Sequence, residues 1–149
     1  MAAAQWIAPS DPNMTSGNSK ARILVVDDEA SVLLTYQLLL EQRGYRVTAV
    51  PSGQDAIAEL KKNRFDLLLC DLSLEERYTG FDVIEFGRRH VPGINAALLT
   101  GYASVEAAER AESAKVAILY KPIDIDQFFS TVSALVGETS DGEAEASVD

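Results

Sequence analysis

The sequence predicts an α/β domain in which five parallel strands carry helices on both faces. Short apolar runs recur without polar alternation, as in Ile23-Leu24-Val25-Val26 and Leu67-Leu68-Leu69-Cys70, and such runs mark strands covered on both sides. Each run is followed by a segment with apolar residues at helical spacing, and this alternation implies a parallel sheet with right-handed crossovers. The runs also end alike, on a carboxylate, a hydroxyl or an ammonium.

Arg22 to Val26 reads as the first strand. Glu29 to Arg43 follows as a helix, with Val32, Leu33, Tyr36, Leu39 and Leu40 at helical spacing and Gly44 as its stop. Tyr45 to Val50 is a second, more polar strand that suits the edge of the sheet. Ser52 caps a helix running to Asn63, with Ala56, Ile57 and Leu60 on one face. Asp66 to Cys70 is the third strand and delivers Asp71; a polar loop leads to a helix from about Phe81 to His90. Ile94 to Leu99 is the fourth strand and delivers Thr100. The next helix, about Ser104 to Ser113, rests mainly on Val105, Ala107, Ala108 and Ala111, which bury little area each, so it is expected to be the most loosely anchored. Val116 to Tyr120 and a last helix, Ile125 to Val136, complete five βα units.

Length and charge narrow the function. The 149 residues suffice for one domain with a sizeable core. Acidic residues outnumber basic ones, 23 to 13, which excludes a phosphate-binding nucleic-acid surface of clustered Lys and Arg. Half of the net charge of −10 lies in the last thirteen residues, so the part that folds is only mildly acidic. Residues 1–20 and 137–149 have no hydrophobic period and are expected to be disordered, leaving 21–136 as the domain; Trp6 and Ile7 are an apolar pair within the first of these segments. Cys70 is the single cysteine and suits a buried strand position, consistent with a reducing compartment. The first residues lack a signal peptide's basic start and apolar stretch, and no run approaches a membrane span, so a cytoplasmic protein without membrane contact is expected.

If the four apolar runs are neighbouring parallel strands, their C-terminal ends gather Asp27, Asp28, Asp71, Thr100 and Lys121 on the edge where open parallel sheets bind ligands. Carboxylates that close repel one another, so one protonates or a cation sits among them. Hard oxygen ligands favour Mg2+, which binds one or two carboxylates together with a phosphate. Thr100 and Lys121 then suit phosphoryl oxygens as hydroxyl donor and point charge, and a carboxylate beside them can act as nucleophile in phosphoryl transfer. Taken singly, each residue has a plainer role: an acid at a helix start, a solvated turn, a loop proline. Their joint placement argues for a site.

On Val25-Val26-Asp27-Asp28-Glu29, Cys70-Asp71-Leu72, Leu99-Thr100-Gly101 and Lys121-Pro122, residues 20 to 136 resemble the receiver domain of two-component response regulators, close to the single-domain chemotaxis regulator. The resemblance implies a flavodoxin-like three-layer sandwich with strand order 2-1-3-4-5. It implies Asp71 as phospho-acceptor, Asp28 as a direct Mg2+ ligand, Asp27 acting partly through water, and Ser73 supplying a backbone carbonyl ligand. Thr100 and Lys121 would contact the phosphoryl group, and the Lys121-Pro122 peptide would be cis. A histidine kinase or histidine phosphotransfer protein would be the donor. With no segment left for a DNA-binding or enzymatic output domain, a stand-alone receiver is expected, signalling through a protein partner at about 104–136.

The chain departs from the family pattern at several places. Ile118 stands three residues before Lys121, where the family carries Tyr or Phe; the nearby tyrosine is Tyr120, for which core packing is expected. Glu75 replaces a common proline, and the loop from Leu72 to Thr79 is about one residue longer than usual. Ser73 and Tyr102, two residues beyond Asp71 and Thr100, resemble the family positions that tune hydrolysis of the phosphoryl group. His90 and the pair Arg88-Arg89 read as helix-end and solvated-face residues. Two other readings compete. An aspartate-nucleophile phosphatase needs a second acid two residues after the nucleophile, where Ser73 stands. A phosphorylation-independent interaction module would have no use for the acidic pair, Thr100 and Lys121.

Overall fold

The computed structural model describes residues 21–74 and 77–137. The segments 1–20 and 138–149, both expected to be disordered, and Glu75 and Glu76 lie outside the described residues.

Ten elements alternate along the chain: β1 (Arg22–Val26), α1 (Ala30–Gln42), β2 (Arg46–Val50), α2 (Gly53–Lys62), β3 (Leu67–Asp71), α3 (Gly80–His90), β4 (Asn95–Thr100), α4 (Val105–Ala114), β5 (Ala117–Tyr120) and α5 (Ile125–Leu135). The strands form one parallel sheet in the order β2-β1-β3-β4-β5, the arrangement expected. β2 lies at an edge, as its polarity predicted.

Strand side chains alternate between two cores. Leu24, Val26, Leu68, Cys70, Ala96 and Leu98 face α2, α3 and α4. Ile23, Val25, Leu67, Leu69, Ala97 and Leu99 face Tyr36 and Leu40 of α1 and Phe128 and Val132 of α5. Burial on both faces is why these strands read as unbroken apolar runs. α4 buries only Ala111 in full, in keeping with its predicted weak apolar anchorage.

The helix starts follow local chemistry. The side chains of Ser52, Thr79, Ser104 and Asp124 each accept a backbone N–H from the first turn of the helix they precede, and Thr79 and Asp82 close a reciprocal capping box. α1 differs: Glu29 caps it without a side-chain bond. Asp27, whose plainer reading was a helix cap, instead accepts the Glu29 N–H at 2.9 Å.

Three expectations are corrected. Tyr120 is not packed in the core but 51% exposed, because the short, alanine-based α4 covers Ile118 on that face and not the strand end beyond it. Arg88 is not merely solvated: its guanidinium donates to the carbonyl oxygens of Ala114 and Lys115 at the end of α4. Asp71 and Thr100 are the last residues of β3 and β4 rather than the first beyond them, so both are fixed by the sheet. His90 is exposed at the end of α3 and stacks on Phe86, as a helix-end residue would. The Lys121-Pro122 peptide is cis.

Candidate functional site

Four strand ends meet at one edge. β1 runs directly into Asp27 and Asp28, β3 ends on Asp71, and β4 pairs with β5 so that Thr100 lies opposite Tyr120. Lys121 follows at once, its backbone N–H donating to the Thr100 carbonyl at 2.8 Å. Sheet hydrogen bonding thus sets the acid, hydroxyl and ammonium positions before any side chain is considered.

Carboxylate oxygens of Asp27, Asp28 and Asp71 all lie within 4.8 Å of one another. Asp27 is fully buried, Asp71 is 7% exposed and Asp28 is half-buried. Lys121 Nζ donates to Asp27 Oδ2 at 2.9 Å and stands 3.6 Å from Asp71 Oδ2. Asp71 Oδ1 accepts the Ser73 N–H at 3.1 Å. Asp28 has no hydrogen-bond or ion-pair partner among the described residues. Burial pushes the Asp71 carboxyl above the ordinary carboxylate range; the Ser73 N–H and Lys121 pull it down, while Asp27 and Asp28 add to the rise. Burial disfavours the Lys121 ammonium, but the hydrogen bond and charge of Asp27, with Asp71 and Tyr36 behind them, hold it above the ordinary lysine value.

Three carboxylates and one ammonium leave the edge electronegative, and its free donors are hard oxygens. That set fits a small divalent cation such as Mg2+, with Asp28 and Asp71 the carboxylates least committed to protein partners. Thr100 sits at the same edge but is engaged elsewhere: Oγ1 donates to the Tyr102 carbonyl at 2.8 Å and accepts the Tyr102 N–H at 3.2 Å. Its hydroxyl must leave that carbonyl before it can serve an oxyanion. Tyr102 itself is 75% exposed.

The structure brings every predicted site residue to this edge, and it adds two that the sequence reading did not single out. Gly80, the first residue of α3, packs against the strand carrying the acid: a Cβ there would meet the Asp71 carbonyl oxygen at 2.6 Å and Leu72 Cα at 3.0 Å. The signal was available, since a glycine opening a helix asks for a reason. Tyr36 of α1 is 5% exposed and stacks on Phe128 near Lys121; its helical spacing announced burial, not its neighbours.

A sequence model of the response regulator receiver domain matches residues 23–133. Among curated proteins, the transcriptional regulatory protein ZraR of Salmonella typhimurium is 35% identical over 127 residues, covering 85% of this chain and 29% of ZraR. The alginate biosynthesis transcriptional regulatory protein AlgB of Pseudomonas aeruginosa is 36% identical over 114 residues, 76% of this chain and 25% of AlgB. The chain therefore spans less than a third of the length of these relatives. Among solved structures, a response regulator receiver protein from Sinorhizobium medicae superposes with a TM-score of 0.73 at 32% identity, covering 79% of this chain and 95% of that one. A CheY-like receiver domain protein from Methanospirillum hungatei gives 0.75 at 27% identity, covering 83% and 98%.

Proposed function

This chain belongs to the response regulator receiver domain family, and on that premise we propose that residues 21–136 accept a phosphoryl group on Asp71 from a histidine kinase or histidine phosphotransfer protein. The observation that carries this reading is the convergence of Asp71 with Asp28, Asp27 and Lys121 within hydrogen-bonding and ligand distances at three strand ends.

In the transfer, an Asp71 carboxylate oxygen forms a bond to phosphorus while the P–N bond to the donor imidazole breaks, the electron pair leaving with the imidazole nitrogen. Ser73 orients Asp71 by donating to Oδ1, which keeps Oδ2 toward Lys121. Lys121, held charged by Asp27, offers a fixed cation to the incoming oxygens; it reaches them by sharing its donors between Asp27 and the phosphoryl group. Thr100 contributes its hydroxyl after releasing the Tyr102 carbonyl. Asp28, Asp71 and the Ser73 carbonyl would hold Mg2+, with Asp27 assisting, and the ion supplies charge neutralisation for the phosphoryl oxygens. The chain catalyses only its own phosphorylation and dephosphorylation in this reading. Output runs through a protein partner at about 104–136, a face that exposes Val105 and Tyr120.

Intact mass after treatment with acetyl phosphate and Mg2+ tests the proposal. Wild type gains one phosphate and Asp71→Asn gains none; equal labelling of both, or of neither, overturns the assignment.

A further inference from the structure

α1 and α5 cover the same face of the sheet, and between them runs a groove of about 290 Å³. Its walls are mainly apolar, with Val32 and Leu39 from α1, Ile125 and Phe128 from α5, and Ile123 from the segment before α5. Such a volume and lining belong to the smaller small-molecule sites. The polar groups of the groove share one property: all can donate. Among the described residues that line it there is no carboxylate and no side-chain amide, only the hydroxyls of Ser31, Thr35 and Tyr36 and the ammonium of Lys121. The Thr35 hydroxyl is spent on the Ser31 carbonyl at 2.9 Å. Tyr36 is 5% exposed, and its hydroxyl has no hydrogen-bond partner among the described residues. A buried hydroxyl left unpaired is costly, and such groups in folded proteins normally have a partner. Stacking on Phe128 at 5.5 Å fixes the ring, and the charges that act on the hydroxyl are those of Lys121, Asp27, Asp71 and Glu29, which puts it at the end of the groove nearest the acidic edge.

We propose that the groove binds a small, uncharged, mainly apolar molecule whose acceptor oxygen, a ketone or ester carbonyl, takes the Tyr36 hydroxyl while its chain lies along Val32, Leu39, Ile123, Ile125 and Phe128. The ligand group must be an acceptor, because a ligand donor would face the Lys121 ammonium, which can only donate. A ligand ammonium is disfavoured by the same charge. The acceptor must also be neutral. Lys121 already donates to Asp27 and lies 3.6 Å from Asp71, so a ligand carboxylate would bring a fourth negative charge to an edge with one cation. Asp27, Asp28 and Asp71 do not line the groove, and the proposal does not rest on phosphorylation of Asp71.

Methyl hexyl ketone is the probe, with octanoate as its charged counterpart. Titrated into the full chain without phosphodonor or Mg2+, the ketone is expected to give saturable shifts of the Val32, Leu39, Ile123 and Ile125 methyl signals in NMR spectra, and octanoate to bind more weakly or not at all. Tyr36→Phe keeps the ring and removes the hydroxyl. It should weaken ketone binding about threefold to tenfold, the worth of one hydrogen bond, and raise the urea midpoint of the free protein, because an unpaired buried group is gone. A hydroxyl with only a structural role would instead lower that midpoint and leave the affinity unchanged. Ile125→Glu places a carboxylate in the groove at a first-turn position where acids are favoured, and it should abolish the shifts; circular dichroism reports that the variant is folded. The absence of saturable shifts in wild type overturns the proposal, as does equal affinity of wild type and Tyr36→Phe, or binding that persists unchanged in folded Ile125→Glu. Tighter binding of octanoate than of the ketone also overturns it, assigning the groove to a carboxylate. No phosphodonor enters these measurements, so their outcome is separate from that of the Asp71 labelling.

Discussion

Lys121 donates to Asp27 at 2.9 Å across 94 residues of sequence, and it lies nearer to this buried acid than to Asp71. The lysine is therefore held chiefly by Asp27 and not by the proposed acceptor. This leaves its charge in place whether or not Asp71 is ionised.

Removing that cation strands Asp27. Losing one member of a buried pair costs about 3–5 kcal/mol, and because Lys121 keeps some solvent contact, Lys121→Met should lower the stability of the metal-free protein by about 1–3 kcal/mol in urea. The same pair predicts an alkaline signature. The folded pKa of Lys121 is raised above the ordinary 10.5, so its stabilisation is complete below that value and is lost as pH rises through the folded one. Wild type should lose stability above about pH 10.5 more steeply than Lys121→Met. Parallel losses would show that the pair contributes nothing.

Asp71 gives a dependence of the same sign in the carboxylate range. Its folded pKa is raised, chiefly by burial, so the protonated form favours folding; that contribution is present below the ordinary carboxyl value and is lost as pH rises through the folded one. At neutral pH in EDTA, wild type thus carries an unfavourable carboxylate, and Asp71→Asn should have the higher melting temperature. Mg2+ should narrow the gap, stabilising wild type by about 1.4 kcal/mol at ten times its Kd. Asp28→Asn should lose most of that gain. A melting temperature of Asp71→Asn below that of wild type in EDTA would remove the basis for this account.

Much of this edge was legible in the sequence because buried parallel strands advertise both their length and their ends. Ile23 to Val26 and Leu67 to Cys70 stop at the C-terminal edge of the sheet, and the polar residue at each stop is placed by backbone pairing alone. The ring of Tyr120 was not legible: alternation puts it on the face of Ile118, but its burial depends on where α4 ends, a matter of tertiary packing. The Thr100 hydroxyl was assigned to a phosphoryl group by its position, whereas its bond to the Tyr102 carbonyl depends on the loop's path. Nor does helical period announce that Arg88 reaches across 26 residues to Ala114.

That contact predicts how α4 is held. Its core anchor is little more than Ala111, so polar ties from α3 carry more of the attachment: Arg88 caps its last carbonyls, and Arg110 pairs with Glu85 at 2.9 Å while lying over the Phe81 ring at 4.2 Å. Helix C-terminal carbonyls lack intrahelical partners, and a cation there is favourable. Arg88→Ala should cost about 1 kcal/mol and raise amide exchange at the C-terminal turn of α4 more than in α2. Uniform exchange across both helices would count against a local tie.

Gly80 couples the same α3 to the acceptor strand. A methyl group there would come within 2.6 Å of the Asp71 carbonyl oxygen and 2.7 Å of Leu98 Cδ2; the leucine can turn aside, but the strand backbone cannot. Backbone on one side and a helix start on the other leave displacement of α3 as the only relief. Gly80→Ala should therefore destabilise the fold by about 1–3 kcal/mol, the usual range for overpacking. Because α3 begins at the end of the loop that follows Asp71, and the Gly80 N–H donates to the Leu72 carbonyl at 3.1 Å, the displacement reaches the Ser73 N–H that orients the acid. The rate of acetyl phosphate labelling should fall as well, whereas Gly93→Ala, at a glycine with no atom within 4 Å of a new Cβ, should strain only its own turn and leave labelling unchanged. Labelling at the wild-type rate in a folded but destabilised Gly80→Ala would separate packing at α3 from orientation of the acid.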